Sequence, residues 1–191
     1  MNKIAFFVAV ILQFTVLISI TVYRYSVIAG GKTVYLKTVP VDPRSLFQGD
    51  YVILDYEISR LDSRELDEKR YYEKESRVYV KLRPHPEKKY WVPVSLTEKP
   101  PALQENEAVI RGKVKECEAM TEQDEKGGFK GWYYVYRIQY PIDSYFVPEG
   151  KGKPIEDAMR RSSEKEVLVE VKLNRIGDAV ITGLLVDGVR H

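Results

Sequence analysis

No charged side chain stands between Lys3 and Arg24, and Ile4 to Val22 reads IAFFVAVILQFTVLISITV. Only Gln13, Thr15, Ser19 and Thr21 interrupt the apolar run. At about 1.5 Å rise per residue, some 20 such residues cross a hydrocarbon core of roughly 30 Å. A helix satisfies its own backbone groups, and Ser or Thr can bond back to a preceding carbonyl, so isolated polar residues are tolerable there. The run predicts a transmembrane anchor over residues 4–23 behind a tail of residues 1–3. A linker over 24–32 and a β-rich soluble domain over 33–191 then follow.

A cleaved signal peptide is the competing reading, with Lys3 as a minimal n-region and Val27-Ile28-Ala29 before Gly30 as a small-residue cleavage site. The run is longer than the usual apolar core of such a peptide, and Tyr23, Arg24 and Tyr25 follow it as interfacial anchors do. Basic residues are sparse on both sides, so charge asymmetry barely orients the helix. A very short N-terminal tail before a long domain is the layout of a signal anchor, with the domain outside the cytoplasm.

The formal net charge is +2, and removing Lys3 and Arg24 leaves the remainder near neutral. Such a domain has no broad electrostatic reason to seek nucleic acid or anionic lipid. Cys117 is the only cysteine, which excludes an intramolecular disulfide; with no His close in sequence it reads as an incidental thiol. His85 and His191 are the only histidines, and neither has metal-ligand spacing to another ligand, so no metal, cofactor or His-based triad is expected. Gly127-Gly128 and Gly150-Lys151-Gly152-Lys153 lack the strand-loop-helix setting of a phosphate cradle.

Beyond the anchor, alternation dominates. Apolar residues recur at every second position in 33–39, 50–58, 77–82, 90–96 and 167–173, with weaker runs at 108–116, 132–140 and 179–186. In the second run Val52, Leu54, Tyr56 and Ile58 share one face, with Asp55 and Glu57 on the other. Asn174 to Asp178 reads as a hairpin turn, and Thr121 to Lys130 as a mobile hairpin loop. Ser63–Tyr72 and Pro154–Arg161 read as short helices. The expected fold is mainly β, a sandwich or partly open barrel of about eight strands with one or two short helices, behind a single N-terminal transmembrane helix.

Trp132, Tyr134 and Tyr136 fall on one strand face beside Lys130 and Arg137. A stacking platform for bases, a carbohydrate patch and a protein interface all use such rings; the near-neutral domain favours the last two over nucleic acid. The most distinctive segment is Pro40 to Ser59, PVDPRSLFQGDYVILDYEIS. Prolines stiffen its approach, Gly49 can supply a positive φ, Asp50 can bond neighbouring amides, and Arg44 can pair with Asp42 or Asp50.

Gly49-Asp50-Tyr51-Val52-Ile53-Leu54-Asp55-Tyr56 resembles, position for position, the motif of the bacterial GDYXXLXY family. The flanking PVDPRSLFQ, the later YFVPEGKG from Tyr145 to Gly152 and the closing LLVDG from Leu184 to Gly188 are similar as well. The resemblance covers nearly the whole chain after the anchor. It implies a protein anchored in the bacterial cytoplasmic membrane, of a kind often encoded near multispanning membrane proteins. It implies no activity and no catalytic residue. A second similarity is to type I signal peptidases, with Ser45 as nucleophile before Gly49-Asp50 and Lys81 as base. The chain departs from that pattern: Leu46-Phe47-Gln48 replaces Met-x-Pro, the spacing is short, and Lys81 falls on a polar strand face.

The sequence thus predicts a single-pass, non-catalytic envelope domain that binds a partner, a membrane protein first among candidates. A glycan or small-molecule module lined by Tyr51, Tyr56 or the Trp132 strand is the alternative, and a Ser/Lys hydrolase the third reading.

Overall fold

The apolar run winds into one helix, α1 (Lys3–Gly30). The computed structural model describes residues 3–39, 51–67, 70–123, 128–146 and 166–190. In α1, Thr15 donates to the Ile11 carbonyl at 2.9 Å, Ser19 to Val16 at 2.7 Å and Thr21 to Leu17 at 3.1 Å, so these hydroxyls need no outside partner. Ile4, Phe7, Ile11, Leu12, Phe14 and Ile18 are all exposed, and Val27 is the helix's one buried residue. A core helix hides one stripe of its surface; α1 displays apolar side chains all round. It is long and apolar enough to cross a membrane.

The stretch expected to be a linker is helical as far as Gly30. Val27 packs into the domain, and its carbonyl accepts the Gly31 amide at 2.9 Å, closing the helix one residue before the first strand. A Cβ on Gly31 would run into the Val27 carbonyl oxygen and close on Leu173, so only glycine lets helix and sheet approach this tightly.

The remainder is mainly β, in strands β1 (Lys32–Val39), β2 (Tyr51–Ile53), β3 (Asp55–Tyr56), β4 (Arg60–Asp62), β5 (Arg77–Pro84) and β6 (Trp91–Thr97). β7 (Ala108–Gln123), β8 (Phe129–Gln139), β9 (Ser144–Phe146), β10 (Val167–Leu173), β11 (Ala179–Val186) and β12 (Val189–Arg190) follow. One sheet has the order β12-β11-β10-β1-β3, the other β4-β8-β7-β5-β6, and β2 pairs with β9 as a separate ribbon. Their inward residues meet in one core: Val34, Leu36, Val169 and Val171 from the first sheet, Val80, Leu82, Ile110 and Ile138 from the second. Each is at most 2% exposed, as expected where period-two faces of two sheets interlock. Pro93 sits in β6, an edge strand, where its missing N–H breaks no ladder.

All eight alternating runs contain a strand, and the additional ones are short. Three local expectations change. First, the run 50–58 is divided: β2 pairs with β9, β3 with β1, and Glu57–Ser59 forms a 3-10 turn leading to β4 in the opposite sheet. Its facing is as expected, since Leu54, Tyr56 and Ile58 are buried and Glu57 exposed. Second, Ser63–Tyr72 forms no helix among its described residues. The Ser63 amide donates to the Tyr134 carbonyl at 2.9 Å and the Tyr134 amide to Ser63 Oγ at 2.9 Å, prolonging the β4–β8 pairing. Tyr72 is buried with its hydroxyl on the Leu96 carbonyl at 2.6 Å, so tertiary contacts override a charged helical pattern. Third, β7 and β8 extend into the expected 121–130 loop, pairing Thr121 with Trp132 and Gln123 with Phe129. The Pro154–Arg161 helix lies outside the described residues.

Candidate functional site

Asp42, Arg44, Gly49 and Asp50 lie outside the described residues, as does Ser45. The backbone of Tyr51 pairs with Phe146 at the start of β2. From Leu54 onward the motif can be read in atomic terms. The Leu54 amide donates to the Asp143 carbonyl at 2.8 Å while its side chain enters the core. Tyr56 is buried, and its hydroxyl donates to the Ile142 carbonyl at 2.6 Å. Tyr140 packs edge-to-face on Tyr56 at 6.4 Å between centroids and donates to the Ile58 carbonyl at 2.7 Å. Two buried tyrosines thus cross-brace the motif and the 140–143 turn, each satisfying a backbone carbonyl. Burial, reinforced by nearby carboxylates, pushes both hydroxyls well above the ordinary tyrosine value, which keeps them protonated donors.

Outside this brace lies an open cavity of about 700 Å³ lined by motif residues Leu54, Asp55 and Tyr56 and by Arg60, Lys115, Arg137, Gln139 and Asp143. Arg60 and Arg137 are directly opposite each other across β4 and β8. Like charges in that register repel. Arg137 is paired with Glu116 at 3.3 Å and Lys115 with Glu75 at 3.4 Å, whereas Arg60 has no ion-pair partner among the described residues. The sequence marks Arg137 only as a neighbour of the aromatic run; the register that sets Arg60 against it is a tertiary fact.

Trp132, Tyr134 and Tyr136 share a face of β8 with graded burial. Tyr136 is fully buried against Tyr72 at 5.6 Å, Tyr134 is half-buried and stacked on Tyr136 at 6.3 Å, and Trp132 is 57% exposed. Trp132 meets the exposed Phe129 at 5.7 Å where the β7–β8 ribbon leaves the core. This end of β8 is distinct from the Arg137–Gln139 end that lines the motif cavity, so the two candidate surfaces share a strand but not a site.

A third constellation joins helix to sheet. Asp178, at the base of the β10–β11 hairpin, accepts from the Tyr23 hydroxyl, from Asn174 Nδ2 at 3.1 Å and from Arg111 Nη2 at 2.6 Å. Burial pushes the Asp178 carboxyl up, but the hydrogen bonds from Tyr23 and Asn174 and the charge of Arg111 together hold it below the ordinary carboxylate value.

The Lys81 amine lies 3.4 Å from Glu107, occupied by an ion pair. Cys117 sits within β7 opposite Tyr136, and burial raises its thiol. The His85 ring accepts the Glu87 amide at 3.1 Å in a turn. Among the described residues no group of three His, Cys, Asp or Glu side chains could hold a metal ion. The family model described as GDYXXLXY protein matches residues 13–184. No curated protein and no solved structure matches the chain.

Proposed function

The chain belongs to the GDYXXLXY family, and from that premise we propose that it is a single-pass bacterial envelope protein that acts by binding another membrane protein rather than by catalysis. The observation carrying this reading is α1, apolar on every side yet docked at its C-terminal end onto the domain through Val27 and Tyr23. A water-facing helix of that composition is untenable, whereas a bilayer solvates it. The docking favours an uncleaved anchor over a signal peptide, since cleavage after Ala29 removes Tyr23 and Val27 from contacts the domain has built for them. The exposed Phe129–Trp132 pair on the β7–β8 ribbon supplies the kind of aromatic anchor that protein interfaces use.

The test is alkaline extraction of membranes followed by photo-crosslinking from position 132 in intact membranes. The protein is expected to stay with the bilayer and to capture one recurrent membrane protein. Release by alkali defeats the anchor, and repeated recovery of the chain alone defeats the partner.

The motif cavity favours a second reading, a module for a small anionic ligand or an acidic glycan, because its size suits such ligands and Arg60 and Arg137 face each other there. Citrate or phosphate should then raise the thermal midpoint of the wild type and leave Arg60→Gln unmoved; equal responses in both dispose of this reading.

A further inference from the structure

The β10–β11 hairpin runs back along α1. β1 leaves the helix end at Lys32, and β10 is antiparallel to it with Leu173 opposite Lys32, so the residues after Leu173 turn toward the helix N-terminus. The two residues at the hairpin base, Asn174 and Asp178, both hydrogen-bond Tyr23. Tyr23 lies eight positions before Gly31, about 12 Å up the helix, and directly follows the uncharged run ending at Val22. Arg175 and Ile176, beyond that base, therefore stand at the level where the apolar surface of α1 begins.

The tip is also fixed in shape. Asn174 Oδ1 accepts the Ile176 amide at 3.1 Å and the Asp178 amide at 2.8 Å, Gly177 takes a φ of 87°, and its carbonyl accepts the Arg111 amide at 2.8 Å. Ile176 is nonetheless 52% exposed. A rigid turn that shows an isoleucine to solvent loses little freedom on entering a second phase.

We propose that the Arg175–Ile176 tip is a second membrane contact, seated in the headgroup layer of a phospholipid bilayer beside α1. Ile176 enters the boundary with the acyl chains, and Arg175 and Arg24 meet lipid phosphates. This rests on the reading of α1 as a membrane anchor. It turns one attachment into two and sets the angle at which the domain stands.

The test uses the full chain with Cys117→Ser, reconstituted in phosphatidylcholine–phosphatidylglycerol liposomes and labelled with an environment-sensitive fluorophore at one new cysteine. Ile176→Cys is the test site, Phe14→Cys reports the helix, and Val189→Cys, exposed at the other end of the sheet, reports the aqueous side. A lipid-borne spin-label quencher should extinguish most of the emission at 176 and 14 and leave 189 bright. Quenching at 14 with 176 as bright as 189 overturns the second contact and leaves the anchor standing. No quenching at 14 removes the anchor and the inference with it, and quenching at all three sites overturns the assignment to the tip.

Discussion

Glu107 is a carboxylate with 3% of its side chain exposed, held by the Gln104 amide at 3.0 Å, Arg83 at 3.3 Å and Lys81 at 3.4 Å. The Gln104 amide does most to lower its carboxyl below the ordinary value, against burial, with Arg83 and Lys81 assisting. A depressed folded-state pKa contributes stability at pH above the unfolded value, near 4.3, and that contribution is lost as pH falls through the lower folded value. Glu107→Gln should therefore lower neutral-pH stability by about 1–3 kcal/mol and flatten the loss of stability in acid. Thermal unfolding from neutral pH downward checks this; an unchanged acid slope would sink it. Tyr56→Phe orphans the buried Ile142 carbonyl and should cost about 1–3 kcal/mol. If that variant keeps full stability but loses partner capture, the end of the motif is a contact surface and not a brace.

At the scale of elements, the β10–β11 hairpin offers the sharpest test. Gly177 has a φ of 87°, and a Cβ there would stand 2.9 Å from the Arg111 amide nitrogen. Gly177→Ala should lower stability by at least about 1–2 kcal/mol, with hydrogen exchange accelerating first at residues 174–178. This hairpin and the strands on each side were legible in the sequence because two local signals, turn residues and period two, agree there. The division of 50–58 was not. Alternation reports which face a side chain takes, and Leu54, Tyr56 and Ile58 do turn inward, but it is silent on which partner the backbone finds. Ser63–Tyr72 misled for the reverse reason. Its charged spacing suits a helix locally, yet Ser63 and Tyr72 have tertiary partners invisible to a window of ten residues. The pairing of the cavity cations was equally hidden, since Arg60 and Arg137 are remote in sequence and meet only through register.

For the molecule as a whole, the decisive feature is the junction at Gly31. Tyr23→Phe removes the hydroxyl shared with Asp178, and Gly31→Ala forces the helix end away from Leu173. Both should leave the β domain's thermal midpoint nearly unchanged while freeing it to reorient, read as faster depolarisation of a fluorophore at Val189 in liposomes. Equal depolarisation in wild type and variants would show that the junction does not set domain motion. With one residue between helix and strand, the chain has no slack. A tethered module samples a hemisphere and meets partners at many heights, at an effective concentration set by its leash. A chain built like this one samples a single standoff. Its encounters are decided by lateral drift and by whether a neighbour's surface lies at matching height, so lengthening the junction by a few flexible residues alters which neighbours it can meet without changing a single contact residue.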